Sequence, residues 1–157
     1  MKHKGFTVVE VLIVIVVISV LATISIMSYT AVREDAADSK IRAAVKLAGD
    51  AAALRESRTG QRVAGQGGFN VANGINTLVP EYLKSDYKDG VSSKKAANAE
   101  AIFRFYNCNN GGNGYVIYAS LNSPSTEDVD TFKRLRSECG HGEVQAPEAV
   151  YNYAQLF

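Results

Sequence analysis

Between Val11 and Val32 the chain carries no charged side chain, and Val and Ile dominate. At about 1.5 Å per residue, a helix of that length crosses a hydrocarbon layer of roughly 30 Å. Helices buried in a soluble core seldom run so long without a polar face, so the run predicts one transmembrane segment. Glu10 is the only charge between Phe6 and Val32. At that shallow depth it costs on the order of 2–3 kcal/mol or less, and an intramembrane carboxylate is a functional residue by default. Lys2 and Lys4 precede the run, and no basic residue follows it before Arg33. That asymmetry puts the N-terminus in the cytoplasm and the bulk of the chain outside.

A secretory signal peptide is the competing reading. Ser19, Ala22, Ser25 and Ser28 are small enough to flank a cleavage site after the apolar run. Two features oppose it: the run is long, and it passes into an amphipathic helix without a Gly or Pro break. Ser19 and Thr23 also stand four apart, and Ala22, Ser25 and Ser28 three apart, spacings that let membrane helices approach closely. Simple tolerance of small residues in lipid accounts for the same pattern.

Beyond Val32 the chain reads as one soluble domain. A formal net charge of +1 over 157 residues gives no basic excess for nucleic acid. Two cysteines exclude a disulfide-dense miniprotein and a four-cysteine zinc site. From Tyr29 to about Arg58, charges fall at helical spacing. Ile41, Val45, Ala48 and Ala52 form one apolar line, and Leu47, Ala51 and Leu54 another beside it. Joined to the membrane run, this makes one helix from Phe6 to about Arg58, roughly 80 Å long, stopped at Thr59-Gly60.

Residues 60–100 are rich in Gly, Asn and Ser. Gly65-Gln66-Gly67-Gly68 lacks the Lys-Ser/Thr and the preceding strand of a phosphate loop, and reads as a flexible surface loop. Ala101–Cys108 and Gly114–Leu121 are aromatic and β-branched strands, joined through Asn109–Asn113 as a hairpin. A third strand is expected around Thr131–Leu135. So short a sheet needs a cover on one face, and the helix's apolar lines supply it. The predicted class is α+β: a long N-terminal helix packed on a small antiparallel sheet.

The string Lys4-Gly5-Phe6-Thr7-Val8-Val9-Glu10-Val11-Leu12-Ile13-Val14-Ile15 resembles the processing and assembly motif of type IV pilins and pseudopilins. The resemblance covers roughly residues 1–55, and Leu78-Val79-Pro80-x-Tyr82-Leu83-Lys84 is similar to a segment of the family's connecting region. It implies a leader, residues 1–5, cut between Gly5 and Phe6 by a membrane aspartyl protease, with Phe6 then N-methylated. It implies a polymerisation helix over 6–29, its amphipathic continuation over 30–58, and an outer globular domain over 59–157 with the family's helix-on-sheet plan. Glu10 becomes the assembly residue, meeting the Phe6 amine of a neighbouring subunit. A pair with the Phe6 amine of its own chain is the alternative. Losing Lys2 and Lys4 with the leader takes the formal charge from +1 to −1.

The implied partners are further copies in a homopolymer or mixed pilus, the prepilin peptidase/methyltransferase, the inner-membrane assembly machinery, and lipid before assembly. Nucleic acid enters only for a DNA-uptake pilus. Two residues depart from the family, which usually has Gly and Pro where this chain has Ser19 and Met27. Both family residues weaken helices, Pro by about 3 kcal/mol, so this helix is expected to resist local unwinding.

Cys108 and Cys139 lie in the part facing an oxidising compartment, where a disulfide is expected. The family often closes its C-terminal region in this way. His3 leaves with the leader, and His141 beside Cys139 makes no metal site by itself. Glu127, Asp128 and Asp130 fit no EF-hand spacing and read as a solvated loop, with calcium binding as the alternative. No nucleophile–base or paired-carboxylate arrangement stands out, so neither catalysis nor a cofactor nor a metal is expected. The leading reading is a filament subunit of the pilus kind. The alternatives are a pseudopilin of a type II secretion or DNA-uptake system and a membrane-anchored binding module, which has no need of a Gly-Phe-Thr-x-x-Glu motif.

Overall fold

The computed structural model describes residues 5, 7–63, 67–68, 75–87, 89, 91–96, 102–108, 114–142 and 146–157. Helix α1, Val8–Thr59, is one uninterrupted element of 52 residues. No Pro and only one Gly, Gly49, interrupt its sequence, so every turn keeps its hydrogen bond. It ends where Thr59-Gly60 predicts, with Gly60 at φ 67°, a conformation that costs Gly nothing and other residues about 1 kcal/mol or more. The chain divides into two compact units, Met1–Glu34 and Asp35–Phe157.

In the first unit the apolar side chains stand outward. Val8 through Ile26 supply an array of Val, Ile and Leu, each more than half exposed. This stretch of α1 is long and apolar enough to cross a membrane. Its hydroxyls are already satisfied inside the helix: Ser19 donates to the Ile15 carbonyl at 2.7 Å, Thr23 to Ser19 at 2.9 Å, Ser25 to Leu21 at 2.9 Å and Ser28 to Ile24 at 3.2 Å. In lipid none of these four hydroxyls would lack a partner, which would remove most of the cost of carrying it there.

In the second unit, the C-terminal part of α1 lies on a sheet of order β1-β2-β3-β4. Strands β2, Phe103–Cys108, β3, Gly114–Ala119, and β4, Tyr153–Leu156, form its antiparallel body, and β1, Gly67–Gly68, is a two-residue edge beside β2. Ile41, Val45, Ala48 and Ala52 of α1 are fully buried, packed with Phe103, Phe105, Tyr115, Ile117 and Leu121. Burying Ile41 and Val45 alone contributes about 1.5–3 kcal/mol each. The opposite face carries Tyr106, Cys108, Val116 and Tyr118 under helix α2, Thr126–Glu138, through its Phe132 and Leu135.

Three expectations are corrected. The third strand is not Thr131–Leu135, which lies inside α2, but β4. Phe132 and Leu135 are the buried apolar pair, spaced i,i+3 as on one helix face, and Ser125 caps the helix in a reciprocal box with Asp128. That box makes Glu127, Asp128 and Asp130 the first turns of a helix rather than a solvated loop. Second, the apolar line Leu47–Ala51–Leu54 is covered only at Ala51; Leu47 and Leu54 are 51% and 44% exposed. They line an open groove with Tyr82, Leu83 and Tyr87, because the sheet is only wide enough for the first line. Third, Gly67-Gly68 is paired to Phe105 and Arg104 rather than a free loop. Gly65, Gln66, Ala101 and the turn Asn109–Asn113 lie outside the described residues, while the antiparallel register expected of a hairpin runs from Phe103↔Ala119 to Cys108↔Gly114.

Candidate functional site

The segment that carries the processing and assembly residues is the start of α1. Gly5 precedes the helix and is exposed. Phe6, the expected methylation site, lies outside the described residues, as do Met1 to Lys4. Thr7 is the helix cap. Its backbone N–H donates to Glu10 Oε2 at 2.7 Å and its hydroxyl to the same oxygen at 2.8 Å; the Glu10 N–H donates back to Thr7 Oγ1 at 3.2 Å. This reciprocal pair satisfies two of the N–H groups that any helix start leaves open, and it brings a negative charge to the positive end of the helix dipole.

The capping box is the feature that sequence reasoning missed here. Its signal was present as Thr7-x-x-Glu10 ahead of an apolar run. It also changes the argument about Glu10. The carboxylate has an in-chain partner before any cleavage, so a second subunit is not the sole means of offsetting its charge. One oxygen, Oε2, takes both Thr7 hydrogen bonds, and Oε1 receives none of them. Chemically, the arrangement offers a helix start with an exposed glycine ahead of it and a half-satisfied carboxylate one turn inside.

The remaining expected site residues lie in the second unit. Cys108 at the end of β2 and Cys139 at the C-cap of α2 form a disulfide across a separation of 31 residues. His141 follows that bridge; its Nδ1 is 2.7 Å from the Tyr118 hydroxyl, and its ring lies against Tyr106 and Tyr118. Burial pushes the His141 imidazole below its ordinary pKa, which favours its neutral form.

Two residues one turn apart on α1 hold the loop that leads into α2. Buried Asp38 accepts from the Asn122 backbone N–H at 2.7 Å, the Asn122 side-chain amide at 2.9 Å and the Ser123 N–H at 2.8 Å. Arg42 grips both oxygens of Asp128 at 2.8 and 2.7 Å and stacks on Tyr153. The Arg42 guanidinium, aided by the Ser125 hydroxyl and N–H, holds the Asp128 carboxyl at about 2. Asp128 is thereby committed to structure, both its oxygens being occupied. Farther along α1, Glu56 accepts from the Tyr115 hydroxyl at 2.8 Å, which in turn accepts from the Val63 N–H at 3.1 Å. These contacts order the second unit and present no reactive group.

Compared with known families, residues 1–26 match the family model described as the prokaryotic N-terminal methylation motif. No curated protein and no solved structure matches the chain. The matched stretch contains Gly5, Phe6, Thr7 and Glu10, and extends through most of the exposed apolar part of α1.

Proposed function

We propose, from the type IV pilin and pseudopilin prepilin motif that residues 1–26 carry, that this chain is the precursor of a filament subunit of the type IV pilus kind. The motif and the apolar start of α1 support a pilin-like precursor anchored in the inner membrane, and the motif implies processing by a prepilin peptidase and assembly into filaments. The observation that carries the reading is that the matched segment is also the stretch of α1 whose Val, Ile and Leu side chains have no cover among the described residues. An apolar surface of that size needs lipid or other copies of itself. Used first as an anchor and then as a packing surface, it has both.

In this reading the cut falls after Gly5, Phe6 is methylated, and Glu10 sets subunit register. Cleavage creates a cationic amine on Phe6, and Glu10 Oε1 is the oxygen the Thr7 box leaves for it. The precursor lies with Lys2 and Lys4 in the cytoplasm and its second unit outside, as the charge asymmetry supports. A pilus subunit is preferred to a secretion or competence pseudopilin on the extent of the Cys-closed C-terminal region. The outer unit works as the exterior of the polymer, not as an enzyme. Electron microscopy of cell-surface filaments with an antibody to residues 59–157 tests this. Labelling along the shaft supports a major subunit and labelling at the tip a minor one. Filaments absent or unlabelled, with antigen confined to the membrane, favour the anchored binding module.

A further inference from the structure

Five arginines among the described residues are half-buried: Arg42, Arg55, Arg62, Arg104 and Arg136. Three of them meet a carboxylate, Arg42 on Asp128 at 2.7 Å, Arg62 on Glu56 at 3.2 Å and Arg136 on Glu148 at 2.6 Å. Each of the three also lies over an aromatic ring. Arg55 donates to the Arg62 carbonyl near the end of α1. Arg104 differs from all of these. Its Nε–H donates to the Tyr151 phenol oxygen at 3.2 Å and its Nη1 to the Tyr106 phenol oxygen at 3.5 Å. Both partners are neutral, and no carboxylate among the described residues pairs with it.

A guanidinium taken partly out of water without an anion is held at a cost that phenols offset only in part. A phenol that accepts a hydrogen bond still has its own O–H to give, and that of Tyr106, a buried residue, has no acceptor among the described residues. Arg104 keeps both N–H groups of Nη2 and a second one on Nη1, donors that an oxyanion can accept. Placement agrees with chemistry. Arg104 and Tyr106 stand two residues apart on β2, hence on one face of the sheet, and the cross-strand partner of Arg104 on the outer side is Gly68. A glycine there raises no side chain beside the guanidinium.

We propose that Arg104, positioned by Tyr151 and flanked by Tyr106, is a binding site for an oxyanion, a carboxylate or phosphate group. The site is independent of the membrane segment and of the filament reading. A free phosphate and an acidic side chain of a second copy share this chemistry, and one experiment separates them. The full-length chain in detergent micelles is unfolded thermally at constant ionic strength while sodium phosphate replaces sodium chloride, with sedimentation measured in parallel at rising protein concentration. Wild type is compared with Arg104→Gln, Arg104→Lys and Tyr106→Phe.

Phosphate at ten times its dissociation constant raises the folded-to-unfolded ratio about elevenfold. The wild type shows this saturable gain, Arg104→Gln loses it, and Arg104→Lys and Tyr106→Phe retain a fraction. If the natural anion belongs to a second copy, the wild type also self-associates, phosphate disperses the oligomers, and Arg104→Gln stays monomeric at every concentration. Arg104→Lys and Tyr106→Phe keep the comparison decisive should Arg104→Gln fail to fold. Equal responses of the wild type and the variants, in both melting and sedimentation, overturn the proposal.

Discussion

The grip of Arg42 on Asp128 joins two helices that are distant in sequence, and its strength can be worked out from the pair itself. Asp128 is held at about 2 against an ordinary 3.8, and such a shift corresponds to about 2.4 kcal/mol favouring the ionised form. The Asp128 side chain is 11% exposed but that of Arg42 is 39% exposed, so solvent screening reduces the figure to about 1–2 kcal/mol. Asp128→Asn therefore lowers stability by about that amount at pH 7. A cycle combining it with Arg42→Met shows a coupling of about 1 kcal/mol. Because the folded pKa lies below the unfolded one, the stabilisation is complete above about pH 5 and fades between about pH 5 and 1. Urea unfolding of the full-length chain in micelles, followed by tyrosine near-UV circular dichroism, gives the difference between wild type and Asp128→Asn at each pH. The difference must shrink to a small fraction of its pH 7 value near pH 2. A difference that persists unchanged at pH 2, or none at pH 7, refutes this account of how α2 is held.

Three further outcomes follow from other contacts. A Cβ at Gly49 would run into the Phe157 ring, so Gly49→Ala destabilises by about 1–3 kcal/mol through overpacking; in a Phe157→Ala background the same change becomes neutral or stabilising by up to about 1 kcal/mol, from helix propensity alone, as urea titration will show. Cys108→Ser costs about 3.7 kcal/mol in the chain-entropy treatment of a 31-residue separation, measured by denaturant unfolding with and without reductant. Thr7→Val weakens the first turn of α1 by about 1 kcal/mol, read as faster amide exchange at Val8 to Val11 in micelles, with exchange in the second unit unchanged.

What could be read from the sequence divides along physical lines. The start, composition and stop of α1 were legible because a run of Val and Ile, a change to helical charge spacing and Thr59-Gly60 are each strong local signals. The line Ile41–Val45–Ala48–Ala52 was legible for the same reason. Its neighbour Leu47–Leu54 was not, since periodicity finds apolar faces but cannot count how many a narrow sheet will cover. Strands β2 and β3 announced themselves through aromatic and β-branched residues. Helix α2 was hidden by its short length and polar composition, and by acidic residues that resemble a loop until Ser125 and Asp128 are seen as a cap. Strand β4 is four residues long and forms only by pairing with β3, a long-range contact. Asp38 and Arg42 carry no local sign of their partners; only the fold shows that Asn122 and Asp128 lie more than eighty residues away. At the candidate site, Gly5, Phe6 and Glu10 rest on a resemblance, whereas the Thr7 box is legible from the Thr7-x-x-Glu10 spacing alone.

The central claim is that the chain is a prepilin, and its mature N-terminus tests that claim directly. Intact mass spectrometry of the protein taken from native membranes, with fragmentation of its N-terminal peptide, gives the answer. The account predicts a chain beginning at Phe6 with one methyl group on its amine. A chain that retains Met1 to Gly5, or one cut beyond Ala22, contradicts it.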